Sequence, residues 1–484
     1  MRIEKILFDL NIGLCILMYF VYYFLGNNEY INLGSILINT CLIIVNLIIL
    51  SHLKKKSNPL LIILSFLVTV FYIFRIITLN YTGFSNVFQR WDISHNEFNS
   101  AFVYLLIAII LLALGLAYGK QKINLPDQSI ADRYINKKRV KGLMIFVLIA
   151  SFFSYTIPGV GMIFSLLTQL FLNIQLIALL CFVYIAFSYK NLTKYDRLQF
   201  QIIFAVYILL FTLGGSRSAV VYVCIMMMIA LLGTIPVIKI KKKWIFSFLL
   251  IVLPVACLFF LFATFIRQTN SRDLSTFEKV QLLSELKTQI NESAGDQDTS
   301  VKFILSPIFD RVGFYDYATE IVVKKDLYSN TIDINLLFKS LIDNVFSPFF
   351  NLFDAPKLAN SFLFTYRNLG TPSLKRIESG EVSYQSDQLT IFGELFLLFG
   401  GWFSLILYFP LGVCLKSLYL YLCNSLSIFS YFKSSLLLYL FYSWINSFGL
   451  DWLIFDVISA VISYLFFVTV VQIKKNEKTT ANFH

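Results

Sequence analysis

A short run of glycine, serine and arginine interrupts an otherwise apolar stretch and is the sharpest chemical feature of the sequence. Gly214 and Gly215 are followed by Ser216, Arg217 and Ser218. A serine here can cap the next helix, whose first N–H groups then face the same region as the guanidinium. Because arginine binds phosphate through paired hydrogen bonds, this pattern suits an anionic ligand, above all a diphosphate. The same residues also fit a glycine-rich turn whose arginine reaches lipid phosphates.

Four further arginines could contribute to such a site. Arg75 lies inside an apolar run, near its end, and either lines the same cavity or extends outward to the membrane surface. We expect it to extend outward. Arg267, Arg272 and Arg311 lie in the long hydrophilic part of the chain, where each either binds phosphate or pairs with a nearby acid.

Glu394 begins another apolar run, where a carboxylate needs a reason to be present. It is either a general base or the partner of an arginine, with Arg217 and Arg267 as the candidates. We expect pairing.

The composition restricts the class of protein that holds these residues. The chain has 484 residues, of which 58% are hydrophobic and 14% charged. This is too apolar for a soluble enzyme or a nucleic-acid-binding protein, and it predicts an integral membrane protein. The net charge of +12 then reflects basic cytoplasmic loops rather than an anionic partner.

About twelve apolar runs are long enough, or nearly long enough, to cross a bilayer. They lie near 6–25, 33–52, 60–80, 98–118, 142–157, 162–189, 198–213, 219–238, 244–265, 389–415, 434–449 and 452–472. Lys/Arg clusters follow every second run, so the positive-inside rule places those loops and both termini in the cytoplasm. The hydrophilic segment 267–388 is then external.

The predicted fold is an all-α polytopic membrane protein with about 12 transmembrane helices and one long external loop. Residues 1–266 form the first bundle of nine spans, 267–388 the external loop, and 389–484 the last three spans and a cytoplasmic tail. Apolar residues recur at helical spacing over 277–290 and 336–346, which predicts two amphipathic helices within the loop.

This layout resembles the O-antigen polymerases, also called oligosaccharide repeat-unit polymerases. The likeness rests on the number of spans, the external loop, Gly-Gly-Ser-Arg-Ser-Ala at 214–219, and Gly393-Glu394-Leu395 with Phe399-Gly400. It implies a membrane-embedded glycosyltransferase at the outer face of the bacterial inner membrane. Such an enzyme polymerises undecaprenyl-diphosphate-linked repeat units into a surface polysaccharide, such as O-antigen or capsule, and releases undecaprenyl diphosphate.

The resemblance also implies roles for individual residues. Arg217 would bind the donor diphosphate, and Glu394 or Asp387 would deprotonate the acceptor hydroxyl, with the phenol of Tyr384 or substrate positioning alone as further alternatives. Additional phosphate or sugar contacts fall on Ser216, Ser218, Arg267, Arg272, Arg311, Arg75 and Tyr384. No metal or cofactor is implied. The partners are the lipid-linked donor and acceptor, the bilayer and a chain-length-regulating co-polymerase, with no nucleic acid.

Three other functions fit a polytopic membrane protein. A flippase for lipid-linked oligosaccharides should show comparable halves and short external loops. An O-antigen ligase resembles this layout but carries a histidine in the long loop, whereas the histidines here are His52, His95 and His484. An ion or solute transporter should carry polar residues distributed near the middle of the membrane.

Overall fold

The computed structural model describes most of the N-terminal half of the chain and parts of the C-terminal half. The described residues are 3–27, 30–53, 58–82, 94–119, 135–156, 172–188, 191–213, 225–232, 314–323, 325, 334–346, 352–353, 390–423, 427–446, 450 and 453–472. Within these ranges the backbone is almost wholly helical, and no strand occurs beyond one isolated antiparallel bridge between Ile135 and Gln472.

The helices follow the apolar runs of the sequence. In chain order they are α1 (Ile3–Leu25), α2 (Leu33–Leu53), α3 (Pro59–Leu67), a π-helix (Val68–Ile73), α4 (Phe74–Thr82), α5 (His95–Ala117), α6 (Lys137–Thr156), α7 (Ile174–Ser188), α8 (Lys194–Leu213), α9 (Phe314–Val323), α10 (Ile334–Phe346), α11 (Thr390–Leu398), a 3-10 helix (Gly401–Ser404), α12 (Leu405–Leu422), α13 (Ile428–Asn446) and α14 (Leu453–Val471). Residues 225–232 are also helical.

Among the described residues, six helical stretches are long and apolar enough to cross a membrane. They are Ile3–Leu25, Leu33–Leu53, Pro59–Thr82, His95–Ala117, Gly401–Leu422 and Leu453–Val471. These findings describe an all-α membrane protein with several spans. The first four and the last of these helices confirm the boundaries predicted for their runs to within a few residues, whereas the predicted run 244–265 lies outside the described residues.

The prediction of one continuous span over 389–415 is wrong. Helix α11 ends at Leu398, and Gly400 and Gly401 then adopt left-handed conformations with φ of 77° and 75° before a new helix begins. Glycine reaches this region without steric cost, so two adjacent glycines can reverse or bend a chain that apolar composition alone would continue.

Polar side chains connect the first three spans inside the bundle. The amide of Asn46 donates to Asn11 Oδ1 at 3.0 Å and to Thr69 Oγ1 at 3.0 Å, while Ser65 Oγ donates to Asn46 Oδ1 at 2.6 Å. All four side chains are buried. Mutual hydrogen bonding of this kind removes the cost of placing amides and hydroxyls in an apolar interior.

Helices α5 and α12 run side by side in the same direction, since Tyr104 contacts Tyr408 and the Ala117 carbonyl contacts Lys416. Gly115 and Gly412 let their backbones approach closely, since a Cβ on Gly412 would lie 2.6 Å from the Leu112 carbonyl oxygen. Near the end of the pair, the Lys416 ammonium donates to the carbonyls of Ala117, at 3.1 Å, and Tyr118, at 2.5 Å. A cation at this position satisfies carbonyls that a helix C-terminus leaves without intrahelical partners.

The end of the bundle that is predicted to be cytoplasmic carries a charge cluster around the buried carboxylate of Asp196. Asp196, which precedes the predicted span 198–213, accepts hydrogen bonds from Lys137, from Lys141 at 2.5 Å and from Thr193 at 2.8 Å. The hydrogen bonds from Lys137, Lys141 and Thr193 lower the pKa of Asp196 below its ordinary value, because they favour the ionised carboxylate.

Two helices of the long hydrophilic segment are described. Helix α10 confirms the amphipathic helix predicted over 336–346 and packs against α14. The stripe predicted over 277–290 lies outside the described residues. Helix α9 was not predicted, and it packs against α5, the π-helix and α11.

Candidate functional site

A buried ion pair joins the third span to the long hydrophilic segment. Arg75 Nε lies 3.1 Å from Oδ1 and 3.2 Å from Oδ2 of Asp316, and Arg75 Nη2 lies 2.5 Å from Oδ2. The Arg75 side chain is 0% exposed and that of Asp316 is 1% exposed. The guanidinium therefore contacts the carboxylate through two nitrogens, in the arrangement typical of strong charge-assisted hydrogen bonds.

The expectation that Arg75 extends outward to the membrane surface is wrong. Its carboxylate partner reaches it inside the bundle, so the charge is neutralised without contact with water or lipid headgroups. The sequence alone could not show this, because 241 residues separate Arg75 from Asp316.

The π-helix directly precedes α4 and therefore Arg75. Its last turn closes through a hydrogen bond from the Phe74 N–H to the carbonyl of Thr69, five residues earlier. Such turns hold one more residue than an α-helical turn, which changes the direction of every following side chain. Tyr72, within this turn, packs edge-on against Phe392 of α11 with ring centroids 6.1 Å apart.

Helix α9, which binds Arg75 of α4 through Asp316, also packs against α11. Ile321 lies so close to Gly393 that a Cβ on this glycine would be 2.4 Å from the isoleucine Cδ1. One turn further on, Lys325 Nζ lies over the Phe396 ring at 5.9 Å from its centroid, beside Gly401. Glycine at 393 is thus required for close contact between the two helices.

Glu394 occupies a fully buried position on α11, next to this contact. Its Oε2 accepts a hydrogen bond of 2.6 Å from the backbone N–H of Leu450, in the connection between α13 and α14. Thr390, which begins α11, has a φ of 53° although it is not glycine. A β-branched residue in this conformation stores strain, and such strain concentrates at functional positions.

A network of hydroxyl groups holds the carbonyl of Phe392, the second residue before Glu394. Tyr408 donates to the Phe392 oxygen at 3.2 Å, and the Tyr104 hydroxyl lies 2.9 Å from Tyr408 OH and 2.7 Å from Ser404 Oγ. All of these side chains are buried. Helices α5, α11 and α12 are therefore joined at one end of the bundle by hydrogen bonds that few alternative packings could satisfy.

Of the residues predicted to form the site, the described residues include Arg75 and Glu394. Helix α9 contacts the surroundings of both, since Asp316 binds Arg75 and Ile321 packs on the glycine before Glu394. The others lie outside the described ranges: Ser216, Arg217, Ser218, Arg267, Arg272, Arg311, Tyr384 and Asp387.

Sequence reasoning missed Asp316 and the hydroxyl network. Tyr104 and Tyr408 lie within predicted apolar runs, and nothing in their spacing along the chain indicates that their hydroxyls meet. Asp316 belongs to a segment whose composition predicts exposure to water. A signal was nevertheless present, because an arginine inside a span calls for a carboxylate elsewhere in the chain.

Within the described part of the chain, no three His, Cys, Asp or Glu residues lie close enough together to hold a metal ion. The residues described at this end of the bundle offer carboxylates, hydroxyls and cations instead, which can bind polar groups and transfer protons.

Comparison of the chain with protein-family models, with curated proteins and with solved structures finds no match in any of the three. The structure by itself defines an all-α membrane protein with several spans. One helix of the long hydrophilic segment packs against the helices of this bundle.

Proposed function

We propose that this protein is a membrane glycosyltransferase that polymerises undecaprenyl-diphosphate-linked oligosaccharide repeat units at the outer face of the bacterial inner membrane. The polymer would be a surface polysaccharide such as O-antigen or capsule. The proposal includes about 12 spans, both termini in the cytoplasm, and 267–388 on the external side.

The observation that best supports the proposal is the position of Glu394. This carboxylate is buried on α11 beside the contact between Ile321 and Gly393, where the hydrophilic segment meets the apolar bundle. A lipid-linked sugar needs such a junction, because its isoprenoid chain stays in the membrane while its sugars and diphosphate stay in water. A transferase acting on it must present polar groups at that boundary.

The proposed reaction joins two lipid-linked chains. The acceptor hydroxyl, on the non-reducing sugar of a new repeat unit, attacks the anomeric carbon of the growing glycan. The bond from that carbon to the diphosphate oxygen breaks, and undecaprenyl diphosphate leaves with the bonding electrons. The hydroxyl proton passes to a base. Because a diphosphate is already a good leaving group, catalysis consists mainly of charge stabilisation, proton transfer and alignment.

The residues take the following parts in this proposal. Arg217, with Ser216 and Ser218, holds the donor diphosphate, and Glu394 or Asp387 accepts the proton. Additional contacts to phosphate or sugar come from Arg267, Arg272, Arg311 and Tyr384. A co-polymerase that sets chain length is proposed as a protein partner.

Reconstitution tests this function directly. The purified protein is placed in liposomes with undecaprenyl-diphosphate-linked repeat units, without nucleotide sugar, and the products are separated on a gel. We expect a ladder of polymer lengths. Arg217→Ala should abolish the ladder while leaving a monodisperse protein, since it removes a charge from a predicted helix break rather than from a packed core.

Two outcomes would oppose the proposal. Normal polymer from Arg217→Ala would exclude the proposed diphosphate site. If folded wild-type protein gives no ladder from its cognate substrate, polymerase activity is excluded, and translocation of the same lipid should be measured to test the flippase alternative.

A further inference from the structure

Helix α9 belongs to the hydrophilic segment, yet polar side chains on it are buried in the bundle. Asp316, Thr319 and Glu320 are each at most 1% exposed. The helix contacts α5, the π-helix and α11, so it lies among the spanning helices rather than on a water-facing surface. Buried ionisable groups in such surroundings are costly and are retained where they serve a purpose.

The charge of Asp316 is matched by Arg75 at distances of 2.5 to 3.2 Å. In a buried pair with this geometry, removal of either partner leaves a charge without compensation, which is far more costly than breaking a surface pair. The two residues therefore hold α9 in one position relative to the third span.

The π-helix sets the direction of Arg75. Thr69, at its beginning, is bound to the Asn46 amide and faces the first two spans. Arg75, six residues later, faces α9. An α-helix turns about 100° per residue, so the extra residue of the π-turn rotates Arg75 by about that angle relative to Thr69. The irregular turn thus lets one span contact both the α1–α2 pair and the loop helix.

We propose that Arg75 and Asp316 form a charge latch that seats helix α9 of the hydrophilic segment in the membrane bundle. Both are positioning residues. The seated helix keeps Ile321 against Gly393 and so holds α11, the helix that carries Glu394, in place. The seating does not depend on the reaction that the protein catalyses, whereas its effect on catalysis rests on the proposed polymerase function.

The latch is tested by the reactivity of a thiol on α9. In a protein whose seven cysteines are replaced by alanine or serine, Thr319→Cys introduces a nearly isosteric thiol at a buried position. The Thr319 hydroxyl has no hydrogen-bond partner within the described structure, so little is lost by the exchange. The protein is placed in lipid nanodiscs, and the rate of reaction with a membrane-impermeant maleimide is measured.

We expect slow labelling in this parent protein. Asp316→Asn and Arg75→Gln should each raise the labelling rate at least about tenfold. Each substitution leaves the other residue's charge buried without its partner, and local opening of α9 then becomes easier. The reversed pair, Arg75→Asp with Asp316→Arg, should return the rate to within about threefold of the parent. Asp316→Glu, which keeps the charge, should also label slowly.

Two controls accompany these variants. A thiol at Ile334→Cys, on the exposed face of α10, should react quickly whether or not the latch is intact. Arg139→Gln removes a partly exposed arginine that donates to the Gln472 carbonyl at the other end of the bundle, and it should leave the Thr319→Cys rate unchanged.

The latch is overturned if the single variants label at the parent rate, or if the reversed pair labels as fast as they do. Where a single variant aggregates, a monodisperse and slowly labelled reversed pair supports the latch, and an aggregated one overturns it. The polymer ladder is measured separately. If the protein with Arg75 and Asp316 intact labels slowly but makes no polymer, the proposed function is contradicted and the latch is not.

Discussion

Gly115 on α5 and Gly412 on α12 are in backbone contact. A Cβ added to Gly115 would lie 3.0 Å from the Gly412 Cα and 2.2 Å from the Phe409 carbonyl oxygen. Close approach through small residues is a general way of joining membrane helices, because lipid offers no hydrophobic force that would otherwise bring them together. This contact keeps α12 alongside α5 and so brings Tyr408 to Tyr104.

Gly412→Ala should therefore destabilise the protein. The added methyl group meets the Leu112 carbonyl oxygen and the Leu116 nitrogen at 2.6 and 2.9 Å, and backbone atoms cannot move aside as a side-chain tip can. We expect a loss of about 1–3 kcal/mol, visible as a lower apparent Tm in detergent. Gly13→Ala, where nothing lies within 4 Å, is the matched control and should not lower Tm. Equal effects of the two variants would contradict the close contact.

The hydroxyl network should behave as one unit. Tyr408→Phe removes a donor to the Phe392 carbonyl and the buried hydroxyl that pairs with Tyr104, and should lower the free energy of unfolding by about 1 kcal/mol or more. With Tyr104→Phe, a double-mutant cycle should give a coupling of at least about 0.5 kcal/mol, measured by reversible unfolding in mixed micelles.

Tyr23→Phe is the control for this cycle, because its side chain is 83% exposed. Its effect should stay within about 0.5 kcal/mol. Strict additivity of the Tyr104 and Tyr408 substitutions would mean that their hydroxyls do not interact.

Glu394→Gln separates proton transfer from structure. The amide oxygen can still accept the Leu450 N–H, so the fold should be kept, whereas an amide cannot act as a base at neutral pH. If Glu394 is the base, the initial rate of polymer formation should fall by about 100-fold or more. The assay is the reconstituted ladder, with monodispersity of the variant as the check on folding.

Asp343→Asn is the matched control for this exchange. Asp343 is also buried and accepts the backbone N–H groups of Leu352 and Phe353, at 2.8 and 2.9 Å. We expect polymer formation close to that of the wild type. A normal rate in Glu394→Gln would instead assign the base to Asp387 or Tyr384, or leave catalysis to substrate positioning.

The cluster around Asp196 predicts a dependence of stability on pH. Because its pKa is lower in the folded protein, the stabilisation is fully present above the ordinary aspartate value of about 3.9 and is lost as the pH falls below it. Lys137 is partly exposed, so solvent screening limits the effect to less than about 1 kcal/mol. The Tm difference between wild type and Asp196→Asn should thus be constant from about pH 7 to pH 5 and shrink toward pH 3. A difference that grows on acidification would reverse this assignment.

Much of the fold could be predicted because single spans follow from local composition. The bounds of α1, α2, α5 and α14 agree with their apolar runs, since about 20 apolar residues suffice to specify a spanning helix. The break after α11 was harder, because Gly400 and Gly401 signal only that a bend is permitted. Whether a permitted bend is used depends on what packs on either side.

The candidate site could be predicted only in part. Glu394 was recognisable, since a carboxylate in an apolar run is costly wherever it points. The partner of Arg75 was not, because Asp316 lies in a hydrophilic segment that contains many acids. Choosing among them requires the distances between helices, which charge and spacing along the chain do not contain.

By itself, the sequence determined that this protein resides in a membrane, that its spanning segments are helical, and that an arginine lies within one of them. Those properties depend on the solvation of backbone and side chains, which is local. Only the tertiary structure decided that α9 enters the bundle, that Asp316 rather than lipid phosphate neutralises Arg75, and that Leu450 holds Glu394. Such pairings depend on which helices pack together, and close packing is a property of the whole chain.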